Sequence, residues 1–171
     1  MSAGGGKSNS KAARPKSQTT LLMELLTHCA KGEEAAAVTI LDSQAHLIAR
    51  GWQGKKETTL GTKTCIPGST ALIMACKSGN LSLVRQLLER GADVNACDKS
   101  RFTSLMYAAS FETASRPELC LLLVENRADV TLTNTAGNAA IRYVSDDASV
   151  RAIVLAAWRD RQAQVADAED L

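Results

Sequence analysis

The chain has 171 residues, 45% hydrophobic but only 4% aromatic, and twenty Lys and Arg against eighteen Asp and Glu leave a formal net charge of +2. That length holds one ordinary domain with a tail, and the near-balance of charge excludes a histone-like binder in which basic residues dominate. No apolar run approaches the roughly 18–20 residues that a membrane span needs, so no membrane partner is expected.

Residues 1–19 are rich in Gly, Ser, Lys and Ala and carry Lys7, Lys11, Arg14 and Lys16 with no acidic residue. Such a segment buries too little to offset its ordering entropy, and a disordered basic arm is expected. It lacks the apolar stretch of a secretory signal, and Ser2 stands where myristoylation needs glycine. Gly4-Gly5-Gly6-Lys7-Ser8 resembles a phosphate loop only superficially, because neither the spaced first glycine nor a preceding strand is present.

Residues 20–47 read as a first pair of short helices, with His28 and Cys29 adjacent. A Cys/His nucleophile is one reading of that pair; packing of Cys29 is the other and the favoured one. A long insertion, residues 48–66, follows and contains Arg50, Trp52, Lys55, Lys56 and Lys63 against Glu57. It is expected to form an extended hairpin that projects from the molecule, since loops this long in compact domains are usually functional or disordered. Trp52 can grip a partner or tuck under the first repeat, and both readings stand.

Residues 67–98 and 100–134 each read as helix, turn, helix and extended tip. Leu81, Val84 and Leu88, with Leu87 beside them, have the spacing of one buried helical face. Gly79 and Gly91 fall at helix ends where positive φ is favoured, and Ser115-Arg116-Pro117-Glu118 reads as a capping box. A fourth, worn unit covers 136–160; Trp158 is expected to pack there, and Asp146-Asp147 to cap its last helix. Residues 163–171 form an acidic tail. The five cysteines, at 29, 65, 76, 97 and 120, show no Cys-x-x-Cys pair, so free reduced thiols are expected, and with them a cytoplasmic or nuclear location.

These units are copies of one another. A shift of 33 lays Thr70-Ala71-Leu72 on Thr103-Ser104-Leu105 and Ala75-Cys76 on Ala108-Ala109. Gly91-Ala92-Asp93-Val94 recurs as Arg127-Ala128-Asp129-Val130 at 36, and Thr103 meets Ala139 at the same offset. Upstream, a shift of 47, one period plus a 14-residue insertion, brings Cys29 onto Cys76 and Gly32 onto Gly79. Carried on Gly68-x-Thr70-x-Leu72, Ala75, Gly79 and Gly91-Ala92-Asp93-Val94-Asn95, the pattern resembles the ankyrin-repeat family, with four repeats and the outer two degenerate. The sequence departs from that family at its Thr-Pro-Leu-His turn, which here reads Thr70-Ala71-Leu72-Ile73, Thr103-Ser104-Leu105-Met106 and Ala139-Ala140-Ile141-Arg142.

The resemblance implies an all-α solenoid of stacked helix-turn-helix units with extended hairpin tips over residues 20–162. It also implies a non-catalytic protein–protein interaction module, an adaptor or a subunit of a larger intracellular assembly. No enzymatic constellation, metal site or cofactor site is found, and none is expected. Family surfaces, tips and first-helix edges, map onto Lys77, Ser78, Lys99, Arg101, Phe102, Ser110 and Phe111, then Thr135, Asn138, Asp146 and Asp147. Trp52, Lys55 and Lys56 in the insertion join them. Phe102 and Phe111 are the only Phe residues; exposed contact and folding back onto neighbouring turns are both open for them. A basic finger implies a protein partner with an acidic patch. The alternative is a nucleic-acid-associated assembly factor that uses the arm and the finger.

Overall fold

The computed structural model describes residues 16–144 and 147–169. Helices α1 (Gln18–Lys31), α2 (Glu34–Ser43), α3 (Ala71–Ser78), α4 (Leu81–Glu89), α5 (Ser104–Ser110), α6 (Arg116–Glu125) and α7 (Ala148–Glu169) follow one another, with strands β1 (Thr58–Leu60) and β2 (Lys63–Cys65) between α2 and α3. Two 3₁₀ turns, Ala45–Ala49 and Ala140–Tyr143, complete the order. Within the units α1 packs on α2, α3 on α4 and α5 on α6, and α1, α3, α5 and the second 3₁₀ turn stack side by side as the first elements of successive units.

Local chemistry accounts for the helix ends. Thr70 Oγ1 accepts from Ile73 N at 3.3 Å and Thr103 Oγ1 from Met106 N at 3.3 Å, while Asn80 Oδ1 caps α4 through Leu83 N at 2.9 Å. The next copy has Ala139 in that place, which offers no cap, and only a 3₁₀ turn forms there. Gly32 and Gly79 end α1 and α3 in the left-handed region, with φ of 74° and 76°. Ser17 caps α1, so the helix begins two residues ahead of the expected boundary of the arm. Most of that arm, residues 1–15, lies outside the described residues, as do Asp170 and Leu171 of the tail.

The core is a continuous slab of Leu, Val, Met, Ala and Cys side chains that runs from Leu22 in α1 to Val154 in α7. Each fully buried Leu in it is worth about 1.5–3 kcal/mol over an exposed one. All of Ala71–Lys77 and all of Ser104–Ala109 are buried. One expected stripe and one expected cap differ in detail. On α4 the buried residues are Leu83, Val84 and Leu87, with Leu81 and Leu88 half-buried at the margins. Ser115 makes no side-chain cap. Arg116 is instead buried, and its guanidinium donates to Ala109 O at 2.5 Å and Tyr143 O at 3.4 Å, which closes the C-terminal end of α5.

Four of the five cysteines are buried and Cys97 is exposed. Burial pushes the Cys29 and Cys120 thiols up to about 12 and raises those of Cys65 and Cys76 as well. Cys29 packs in the core, while His28 Nδ1 meets Glu33 Oε2 at 2.5 Å. That hydrogen bond is the main cause holding the Glu33 carboxyl below its ordinary value.

Candidate partner-binding surface

The tips are tied edge to edge by backbone bonds. Trp52 N donates to Ser69 O at 2.9 Å and Gly68 N to Trp52 O at 2.8 Å; Lys99 N donates to Pro67 O at 2.8 Å and Thr135 N to Ser100 O at 3.0 Å. Residues 52, 67–69, 98–101 and 134–138 therefore form one row. Each of the last two tips is closed by a small antiparallel bridge, Cys97 with Thr103 and Thr133 with Ala139.

A buried polar side chain holds each of these turns. Asp98 Oδ1 accepts from Ser100 N at 2.8 Å and Phe102 N at 3.0 Å, and Tyr107 Oη donates to Asp98 Oδ2 at 2.6 Å. One unit on, Asn134 Oδ1 accepts from Ala136 N and Asn138 N, both at 3.0 Å, and Asn134 Nδ2 donates to Tyr143 Oη at 2.5 Å. Burial, followed by the bond to Asp98, raises the Tyr107 phenol and keeps it a donor. These Asp–Tyr and Asn–Tyr pairs flank turns in which the family's Pro and His are replaced, by Ser104 and Met106 in one copy and by Ala140 and Arg142 in the next. Sequence reading passed over them, although Asp98 to Asn134 and Tyr107 to Tyr143 repeat the 36-residue offset.

The insertion does not project. Its strands pair antiparallel, Thr58 opposite Cys65 and Leu60 opposite Lys63. The hairpin lies across the stack, with β1 against α1 and β2 against α3, and Leu60 and Cys65 are buried. Lys77 is corrected from an exposed edge to the interior. Only 3% of it is accessible; its amine donates to Thr64 O and sits 4.3 Å from the centre of the Tyr107 ring. Desolvation lowers its pKa, and the π face supplies part of the compensation. Lys63 Nζ reaches 5.0 Å from the Phe111 ring, so the hairpin spans toward the third first helix.

Of the two readings left open for Phe102, the geometry follows the one in which the ring folds back. Its ring is half-buried, 5.1 Å from Tyr107 and 5.2 Å from Tyr143, and it packs on the core. Phe111 is half-buried 6.2 Å from Tyr107. Trp52 is half-buried against Gly54, and its Nε1 is buried without a hydrogen-bond partner. Ser78 and Ser110 turn back onto their helices, on Ala75 O and Tyr107 O. Asn138 is half-buried in the last tip, while Thr135 is exposed. Asp147 accepts from Ser149 N at 2.9 Å and Val150 N at 3.2 Å at the start of α7, and Asp146 lies outside the described residues. Trp158, expected to pack, is 46% exposed on α7.

The tips and the insertion also leave four cations open. Lys55, Lys56, Lys99 and Arg101 are all exposed, and none makes an ion pair among the described residues. Among those residues no helix is long and apolar enough to cross a membrane.

Stacked helix pairs with bonded tips define a helical-repeat scaffold whose surface is built to hold another molecule. The chain belongs to the ankyrin-repeat family: the family pattern described as ankyrin repeats in three copies matches residues 12–134. Ankyrin repeats are protein-interaction modules and are generally non-catalytic. The chain is 32% identical over 80 residues to protein phosphatase 1 regulatory subunit 12A of Mus musculus and of Rattus norvegicus, a stretch covering 47% of this chain and 8% of each relative. It is 28% identical over 109 residues, 60% of this chain, to the phosphocholine transferase AnkX of Legionella pneumophila, of which that stretch is 11%. This chain thus spans about a tenth of the length of the relatives it matches.

Proposed function

We propose that the chain is an intracellular adaptor or assembly subunit that binds an acidic protein surface along its row of tips. The observation that carries this reading is the set of four exposed cations without an ion pair among the described residues, Lys55, Lys56, Lys99 and Arg101, on segments joined by the Trp52–Ser69 and Lys99–Pro67 bonds. Unpaired cations on a rigid edge favour an anionic partner and speed its encounter. The hairpin, Trp52 and the half-buried Asn138 serve as the frame of that edge. Because the hairpin lies over α1 and α3, the reading places contact on tips and hairpin rather than on first-helix edges.

The test is affinity capture with the full-length chain and with a K55E/K56E/K99E/R101E variant, followed by mapping of cross-links. Retention of the same protein partner by the variant, or cross-links confined to α2, α4 and α6, would sink the reading. The nucleic-acid alternative predicts RNA or DNA binding with a steep dependence on salt; absence of such binding at low salt removes it.

A further inference from the structure

Aligning the repeats with one another isolates two arginines in unusual backbone. Arg127 has φ of 67° where the preceding copy has Gly91 at 83°, and Arg101 has φ of 59° where its neighbours have Gly68 at 92° and Gly137 at 75°. Left-handed backbone disfavours any residue with a Cβ, and glycine is the ordinary solution. In the preceding copy glycine fills this place, and a Cβ on Gly91 would meet nothing within 4 Å. A long charged side chain held at positive φ, where the preceding copy has glycine, points to a use for that side chain.

Arg127 is exposed, and its guanidinium has no hydrogen bond or ion pair among the described residues; its backbone alone is engaged, the N–H donating to Val124 O at 2.9 Å and the carbonyl accepting from Asn95 Nδ2 at 3.3 Å. It lines an open cleft of about 610 Å³ between the end of α6 and α7, together with Asn95, Asp129, Ala157, Asp160 and Arg161. The other polar groups there are largely engaged. Asn95 Oδ1 accepts from Asp129 N at 2.8 Å, and Asp129 Oδ1 accepts from Thr131 N at 2.9 Å and Thr131 Oγ1 at 2.6 Å. Arg161 touches Asp129 at 4.0 Å, which leaves most of its five donors uncommitted. Against two guanidinium groups, the cleft sets Asp160 as its one carboxylate outside that network. Ala157, Val124 and Val130 give it an apolar wall suited to a methylene stem.

We propose that Arg127 and Arg161 form a carboxylate-binding site for an acidic peptide segment, a second contact beyond the tip row. It rests on the protein-binding reading but uses different residues. Planar guanidinium groups favour carboxylates through paired, charge-assisted hydrogen bonds.

The test is fluorescence anisotropy with the full chain and a labelled peptide of alternating Asp and Glu at low salt, alongside melting curves. Wild type is expected to bind best, R127K less well, and R127G about tenfold more weakly. R127G is expected to melt no lower than wild type, and up to about 3 °C higher as strain is relieved. Equal affinity in all three proteins, or no binding by wild type, overturns the proposal. Peptide binding lost in K99E/R101E but kept in R127G leaves the tip row standing and removes this site; the reverse pattern removes the tip row alone. Tighter binding to a labelled single-stranded RNA, lost in R127G, reassigns the site to nucleic acid and also overturns the proposal.

Discussion

A buried carboxylate survives in a protein only where donors replace the water it has lost, and Asp98 has three: Ser100 N, Phe102 N and the Tyr107 hydroxyl. The next copy solves the same turn with neutral Asn134, so the geometry and not the charge is what repeats. Phe102 lies over this arrangement, between Tyr107 and Tyr143, where tilted rings about 5 Å apart gain from their quadrupoles as well as from burial. Its truncation should therefore register as lost stability. Phe102→Ala is expected to lower unfolding free energy by about 2 kcal/mol, less than the full cost of a wholly buried ring because Phe102 keeps some exposure. Urea titration followed by far-ultraviolet circular dichroism measures it. An unchanged midpoint would return Phe102 to the candidate contacts.

At the scale of the element, the second and third units show how few residues define a repeat: a threonine cap, a small-residue helix, a glycine and an apolar second helix. Those marks were legible because each acts within a few positions of itself. Position 139, an alanine in the capping place, also announced in principle that its helix would be curtailed. The place of the hairpin was not legible, because it depends on Leu60, Cys65 and Lys77 meeting across the chain, and lysine in a helical turn reads as exposed until something covers it. Arg116 misled in the same way: local spacing suggested a capping box, while the side chain serves carbonyls seven and twenty-seven residues away. Two glycines separate conformational need from packing need. Both Gly79 and Gly91 have positive φ, but a Cβ on Gly79 would stand 2.9 Å from Thr113 Cγ2, whereas one on Gly91 meets nothing. Gly91→Ala is expected to cost about 1 kcal/mol, from backbone strain alone, and Gly79→Ala about 2 kcal/mol or more, since stiff Thr113 must also move. Denaturant midpoints of the two variants decide it; equal losses would mean that Thr113 yields freely.

Across the whole molecule, protection should follow the order of the stack rather than the order of the chain. In a linear array each unit is held by its neighbours, so a central element is flanked twice and a terminal one once. Here α3 has α1 on one side and α5 on the other, its partner α4 behind and the hairpin across it, which is why Ala71–Lys77 is buried throughout. The far end is different: α7 buries Val150 and Val154, and none of residues 155–163 is buried. A long helix that buries Val150 and Val154 in its first two turns and half-buries Leu155 and Ala157 beyond them should open locally at low free energy over its later turns, while α3 and α5 open only when the stack itself unfolds. Hydrogen exchange read by mass spectrometry should therefore find the slowest amides in α3 and α5, intermediate ones in α1 and the hairpin, and the fastest helical amides in α7 after Val154. Deleting the hairpin should speed exchange in α3 more than in α6, because it is α3 that loses its cover. Uniform exchange across all helices would mean that the array unfolds as one cooperative unit, and a change confined to the hairpin would mean that it lies on the first helices without stabilising them.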